Sequence, residues 1–134
     1  MKMRANRIEG QNAIARHGPE GVVINGVEHT ESVVVAWNGT VVPWHAASFD
    51  ELGADHFVRL AELRPELVLF GSGARLRFPR PALLKPLIDA RIGIETMDTA
   101  AACRTYNVLY AEGRRVVAAL LFAAADAPAG PAAP

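Results

Sequence analysis

The sequence predicts an α/β fold: a layered single domain with a partly parallel sheet, an N-terminal β-meander and about three helices. Three observations carry this. Two Asn-Gly dipeptides stand between apolar runs in the front half. Short continuous apolar runs, Leu67-Val68-Leu69-Phe70 and residues 116–122, read as strands buried on both faces. Segments of helical period or alanine-rich composition alternate with those runs in the back half.

Asn25-Gly26 separates Val22-Val23-Ile24 from the run ending Val33-Val34-Val35-Ala36-Trp37, and Asn38-Gly39 separates that run from Val41-Val42-Pro43-Trp44. Asn-Gly favours the positive φ angles of type I′ turns, so two hairpins in a meander are expected. Pro43 cannot donate to a ladder, which places the end of the last strand there or at a sheet edge. From Ser48 onward, Phe49, Leu52, Leu60 and Leu63 fall on one helical face, with Ser48 as N-cap and Pro65 as stop. The strand at 67–70 ends at Gly71-Ser72-Gly73. A second helix over 81–90 begins with Pro81 and is shortened or kinked by Pro86. Ile92-Gly93-Ile94 is the next strand. Asp98 or Thr99 caps an alanine-rich third helix that ends at Gly113, where Arg114 and Arg115 suit the negative end of the helix dipole. Residues 116–122 form the final strand.

Length and composition bound the rest. The 134 residues make about one domain, and surface scaling buries about two-thirds of the chain's surface, enough for a core without disulfides or metal. Fourteen Lys+Arg balance fourteen Asp+Glu, with a pI near 6.9. That balance argues against a nucleic-acid partner and against a polybasic membrane binder. Cys103 is the single cysteine, without a CxxC or Cys/His cluster, so neither a disulfide scaffold nor a metal site is expected. The basic N-terminus has no apolar stretch behind it, and the weakly polar run over 116–125 is too short to span a bilayer. The expectation is a cytoplasmic protein without membrane insertion. Residues 1–10 read as a loosely ordered N-terminus, 11–122 as the domain, and 123–134, rich in Ala and Pro, as a disordered tail.

Candidate chemistry gathers where open α/β sheets bind ligands, at the carboxyl ends of the strands. Gly71, Ser72 and Gly73 leave one strand, with Arg75, Arg77 and Arg80 just downstream, and Asp98 and Thr99 leave its neighbour. Backbone amides there suit a small anion, with Arg77 or Arg104 supplying charge and Asp98 as candidate base. The plainer reading is a tight strand exit, a solvated Arg loop and a helix cap, since Leu76 stands where GxGxxG needs its third glycine. Cys103 shares a helix face with Thr99 and Asn107. A nucleophile needs an adjacent base, and the four histidines all lie in the first half, so a packed thiol is the plainer reading. His56 lies on an apolar helix face without metal-ligand spacing, and Asp50, Glu51 and Asp55 read as complements of a helix dipole. Trp37 and Trp44 are equally a partner surface or a cross-strand pair. Arg104 and Asn107, inside the alanine-rich helix, are expected to be hydrogen-bonded, Arg104 near the Gly71 loop. No catalytic residue set, cofactor motif or metal-ligand set is read.

The run from Glu95 to Leu109, including Met97-Asp98-Thr99-Ala100 and Tyr106-Asn107-Val108-Leu109, followed by Glu112-Gly113-Arg114-Arg115-Val116, resembles the Mth-like domain family. Ile24-Asn25-Gly26, Trp44, Gly71-Ser72-Gly73 and Phe78-Pro79 extend the resemblance over about residues 8–122. The resemblance implies a three-layer α/β domain with a central mixed sheet. It also implies a non-enzymatic binding or assembly protein, with protein partners that include respiratory complex I subunits. A small-anion-binding protein or enzyme at the Gly71–Gly73 and Asp98 crevice is the alternative.

Overall fold

Val33, Val34, Val35 and Ala36 are all buried, so the strand that they form needs cover on both faces, and this requirement sets the architecture. The computed structural model describes residues 11–122, and the segments 1–10 and 123–134, expected to be loose, lie outside the described residues. In chain order the elements are β1 (Ile14–Gly18), β2 (Gly21–Ile24), β3 (Val27–His29), β4 (Val33–Ala36), β5 (Val42–Pro43), α1 (Ala54–Glu62), β6 (Leu67–Ser72), α2 (Lys85–Asp89), β7 (Gly93–Met97), α3 (Thr99–Ala111) and β8 (Val116–Leu121).

Five strands form a mixed sheet in the order β5-β4-β8-β6-β7. β6 runs parallel to β7 and β8, whereas β4 is antiparallel to β8 and β5. The period-two alternation of the strands divides their side chains between two cores. Val34, Ala36, Val68, Phe70, Val117, Ala119 and Leu121 meet Phe57 and Leu60 of α1 and Leu87 of α2. Val33, Val35, Leu69, Val116, Ala118 and Leu120 meet Ala102, Cys103 and Tyr106 of α3 and Ile14, Val22 and Ile24 of β1 and β2. The result is three layers: α1 and α2, the mixed sheet, and α3 beside a small antiparallel sheet β1-β2-β3.

The meander is divided between these sheets. Asn25 and Gly26 take φ of 55° and 81° and close the two-residue hairpin between β2 and β3. The chain then changes sheet before β4, because β3 is largely exposed whereas β4 is wholly buried. The Asn38-Gly39 hairpin is not tight, since β4 pairs with β5 as Val34 with Val42 and Val33 with Pro43. The buried side-chain amide of Asn12 explains why: it donates to Ala36 O and Gly39 O, both at 3.0 Å, and holds the chain open.

Other elements differ from expectation in the same local way. Ser48 makes no side-chain cap and precedes a 3-10 turn, Phe49–Glu51, and α1 starts only at Ala54. Its N-terminus is closed by His56, whose Nδ1 accepts the Gly53 N–H at 3.0 Å. His56 Nε2 lies 3.0 Å from His45 O, so both ring nitrogens have partners. The second helix divides into a 3-10 turn, Pro81–Leu84, and the short α2, where Pro86 sits in the first turn. Trp44 is fully buried, packs edge-on against His56, Phe57 and Phe70, and donates its indole N–H to His56 O at 3.1 Å. It therefore belongs to the core and is not part of a partner surface. β1 escapes the sequence reading because only Ile14 of its five residues is buried.

Candidate functional site

β6 leaves the sheet through Gly71, Ser72 and Gly73, and α3 begins beside it. A Cβ on Gly71 would stand 2.9 Å from Leu120 Cδ2 and 3.1 Å from Thr99 Cα, so glycine is what lets α3 start this close to the strand. The two loops expected at one edge do meet, and their polar groups satisfy each other. Gly73 N–H donates to Thr99 Oγ1 at 2.9 Å, Thr99 N–H donates to Gly73 O at 3.0 Å, and the Thr99 hydroxyl donates to Leu121 O. Thr99 thus ties the exit of β6 to the end of β8. Buried Ser72 accepts the Arg77 N–H at 3.0 Å, and its hydroxyl lies 2.8 Å from Arg75 O and 3.2 Å from Met97 O. The Asp98 carboxylate accepts the Ala101 N–H at 2.8 Å as the N-cap of α3.

The arginines do not converge on this edge. Arg77 lies with its guanidinium 4.1 Å from the centre of the Phe49 ring and 3.4 Å from Asp50 Oδ1. Arg104 is exposed, on the solvent stripe of α3 with Ala100 and Val108, so the expected contact with the Gly71 loop is not formed. Alanine gives a helix no direction, and the face that packs on the sheet is set by Thr99, Ala102, Cys103 and Tyr106. Asn107 does carry the expected bonds: its amide accepts the Ile14 N–H at 2.9 Å and donates to Ile14 O at 2.8 Å.

Cys103 is fully buried, and burial pushes its thiol up from 9.0 to about 12, so it is a packed thiol and not a nucleophile. Because the folded state disfavours the thiolate, the stabilisation from keeping the proton is complete below pH 9 and is lost between pH 9 and about 12, at up to about 1.4 kcal/mol per pH unit. Burial raises the Tyr106 phenol too, and it adds to the loss above pH 10. The expected result is a decline in stability above pH 9, which Cys103→Ala delays to higher pH in urea titrations. A thiol reagent at pH 8 should modify Cys103 only after denaturant is added; rapid labelling of the native chain would contradict the burial argument.

The outer face of the same loop is different in kind. Between Ser72 and Pro79, Arg77 turns inward to Phe49, while Leu76 and Phe78 turn outward, 51% and 69% exposed. Exposed Arg75 and Arg80 flank them, with no ion pair to an acid among the described residues. The sequence signal was the alternation Arg75-Leu76-Arg77-Phe78, two large apolar residues set in a basic loop. A groove of about 850 Å³ lies at the opposite end of the sheet, lined in part by Arg64, Arg91, Arg115, Glu62 and Glu66. There Arg64 and Arg91 hold φ of 56° and 62° just past α1 and α2, against the negative ends of the helix dipoles. Glu66 accepts from Arg114 Nε at 3.1 Å and from Arg115 N–H at 2.9 Å, and these bonds, the backbone one first, lower its carboxyl below the ordinary value. Three arginines and two glutamates thus line that groove.

Residues 14–121 match a family described as a protein of unknown function, DUF498/DUF598. The chain belongs to this family. A solution structure of a Bordetella pertussis protein, described as an Mth938-like domain, is similar with a TM-score of 0.78 and 30% identity over 95% of each chain. The family is thus the Mth-like one that the residue pattern resembles, with its mixed sheet and three helices. An uncharacterised Rhodobacter capsulatus protein is 35% identical over 121 residues, 90% of this chain and 93% of its own. The Bos taurus NADH dehydrogenase (ubiquinone) 1 alpha subcomplex assembly factor 3 is 31% identical over 110 residues, 81% of this chain. The match spans 59% of that relative's length. Among the described residues of this family member, no helix is long and apolar enough to cross a membrane, and no cluster of His, Cys, Asp or Glu is placed to hold a metal ion.

Proposed function

We propose that this protein is a non-enzymatic binding module that supports the assembly of a multi-subunit respiratory complex, of the complex I type, through contacts with its subunits. The observation that carries this reading is the similarity to an assembly factor of NADH dehydrogenase over 81% of the chain. The strand-exit geometry supports it as well. An anion site or enzyme there needs donors, and the Gly73 N–H already donates to Thr99 Oγ1, the Ser72 hydroxyl to Arg75 O, and the Arg77 N–H to Ser72 Oγ. The loop's outer face instead offers apolar and cationic surface, the composition of interface anchors.

The experiment is recovery of the affinity-tagged chain from detergent-solubilised membranes of its source organism, paired with native-gel quantification of complex I after deletion of the gene. Co-purification of complex I subunits and a reduced amount of the assembled complex are expected. Neither effect, in cells that express the tagged chain normally, would remove the assembly reading.

A further inference from the structure

We propose that the outer face of the loop 74–80 is a docking surface for an acidic, apolar-bearing segment of a protein partner. The proposal rests on the binding-module reading and names where, and to what chemistry, the module binds.

Leu76 and Phe78 are among the most exposed large apolar side chains of the described residues. Scattered exposed apolar residues need no explanation, but these two stand two residues apart on one short loop. The loop is also held rigidly, which lowers the entropy lost on binding. Ser72 bonds to its backbone at Arg75 and Arg77, Pro79 is buried, and Arg77 packs over Phe49. Two side chains are thus displayed from a backbone pinned on both sides.

Charge selects the partner. Arg75 and Arg80 are exposed and have no ion pair to an acid among the described residues, and Arg77 sits 3.4 Å from Asp50. Arg75 and Arg80 thus leave an excess of positive charge beside the apolar pair, from two exposed guanidiniums with no ion pair to an acid among the described residues. The chain as a whole carries no net charge, so this excess is local. A complementary segment carries carboxylates that flank an aromatic or aliphatic anchor, and its binding weakens with salt.

The test is a selection of random peptides on the immobilised chain, followed by fluorescence anisotropy of the winning peptide. Enrichment of Asp and Glu around Leu, Phe or Trp is expected. Affinity should fall at least about tenfold, the equivalent of 1.4 kcal/mol, in R75E/R80E and again in Phe78→Ser. The variants' melting curves control for folding, since all three residues are exposed. Basic or unpatterned winners, or unchanged affinity in both variants, overturn the proposal. So does binding of anionic phosphatidylserine vesicles together with failure to select any peptide. Co-purification with R75E/R80E separates the two readings. If wild type and variant recover complex I subunits equally, the assembly reading stands and this surface fails; if wild type recovers none while acidic peptides bind the loop, the reverse holds.

Discussion

Asn107→Ala should lower stability by about 2–4 kcal/mol, with a fall in Tm on the order of 10 °C, while Arg104→Ala melts like wild type to within about 0.5 kcal/mol. The Asn107 amide takes both the N–H and the C=O of Ile14, as the backbone of a neighbouring strand would. Ile14 pairs with Ile24 of β2 just before a register shift between Ile14 and Arg16, and β1 is the edge strand of its sheet, so α3 takes up the Ile14 backbone groups through Asn107. Removal of the amide leaves a donor and an acceptor beside a residue that is only 3% exposed. Asn107→Asp separates the two bonds, because a carboxylate still accepts from Ile14 N–H but has no proton for Ile14 O. Thermal melts of the three variants check this. An Asn107→Ala protein that melts like wild type would show that the side chain contributes nothing to holding β1.

The same residue shows which features are legible in the sequence. The helix around it was readable, since its cap, its period and its terminal glycine lie within one short stretch. So were β6 and β8, whose burial on both faces demands unbroken apolar runs. The Asn25-Gly26 turn was readable because its backbone conformation is a property of the dipeptide. β1 was not, because it is held by a side chain 93 positions away and buries only Ile14. The direction of Arg104 was hidden by alanines that fit either face of a helix. At the candidate site, topology placed the Gly71–Gly73 and Asp98–Thr99 loops together, and the sequence showed every residue type involved. That Thr99 and Gly73 satisfy one another while the Thr99 hydroxyl reaches Leu121 O across 22 positions depends on the register of β8 beside β6. The Thr99 and Gly73 groups at that edge are therefore paired with protein partners.

Thr99→Val, a nearly isosteric change, should destabilise the fold by about 2–5 kcal/mol, whereas Asp98→Ala one residue earlier should cost only about 1 kcal/mol. Asp98 satisfies one N–H in the first turn of its own helix, and solvent reaches that turn. Thr99 is 6% exposed, and its hydroxyl serves two long-range partners at once, Gly73 N–H and Leu121 O. Valine keeps the shape and the β-branch but satisfies neither, so both backbone groups stay buried without partners at the junction of β6, α3 and β8. Thr99→Ser restores the hydroxyl and should recover most of the loss, leaving only the deficit of one methyl group. Urea midpoints rank the variants, and a Thr99→Val protein as stable as wild type would refute the assignment. Amide exchange gives a more local readout. The Gly73 amide should be protected in the unliganded wild type and should exchange faster in Thr99→Val. Were that amide instead an open anion cradle, it would exchange rapidly in wild type and slow only when phosphate was added.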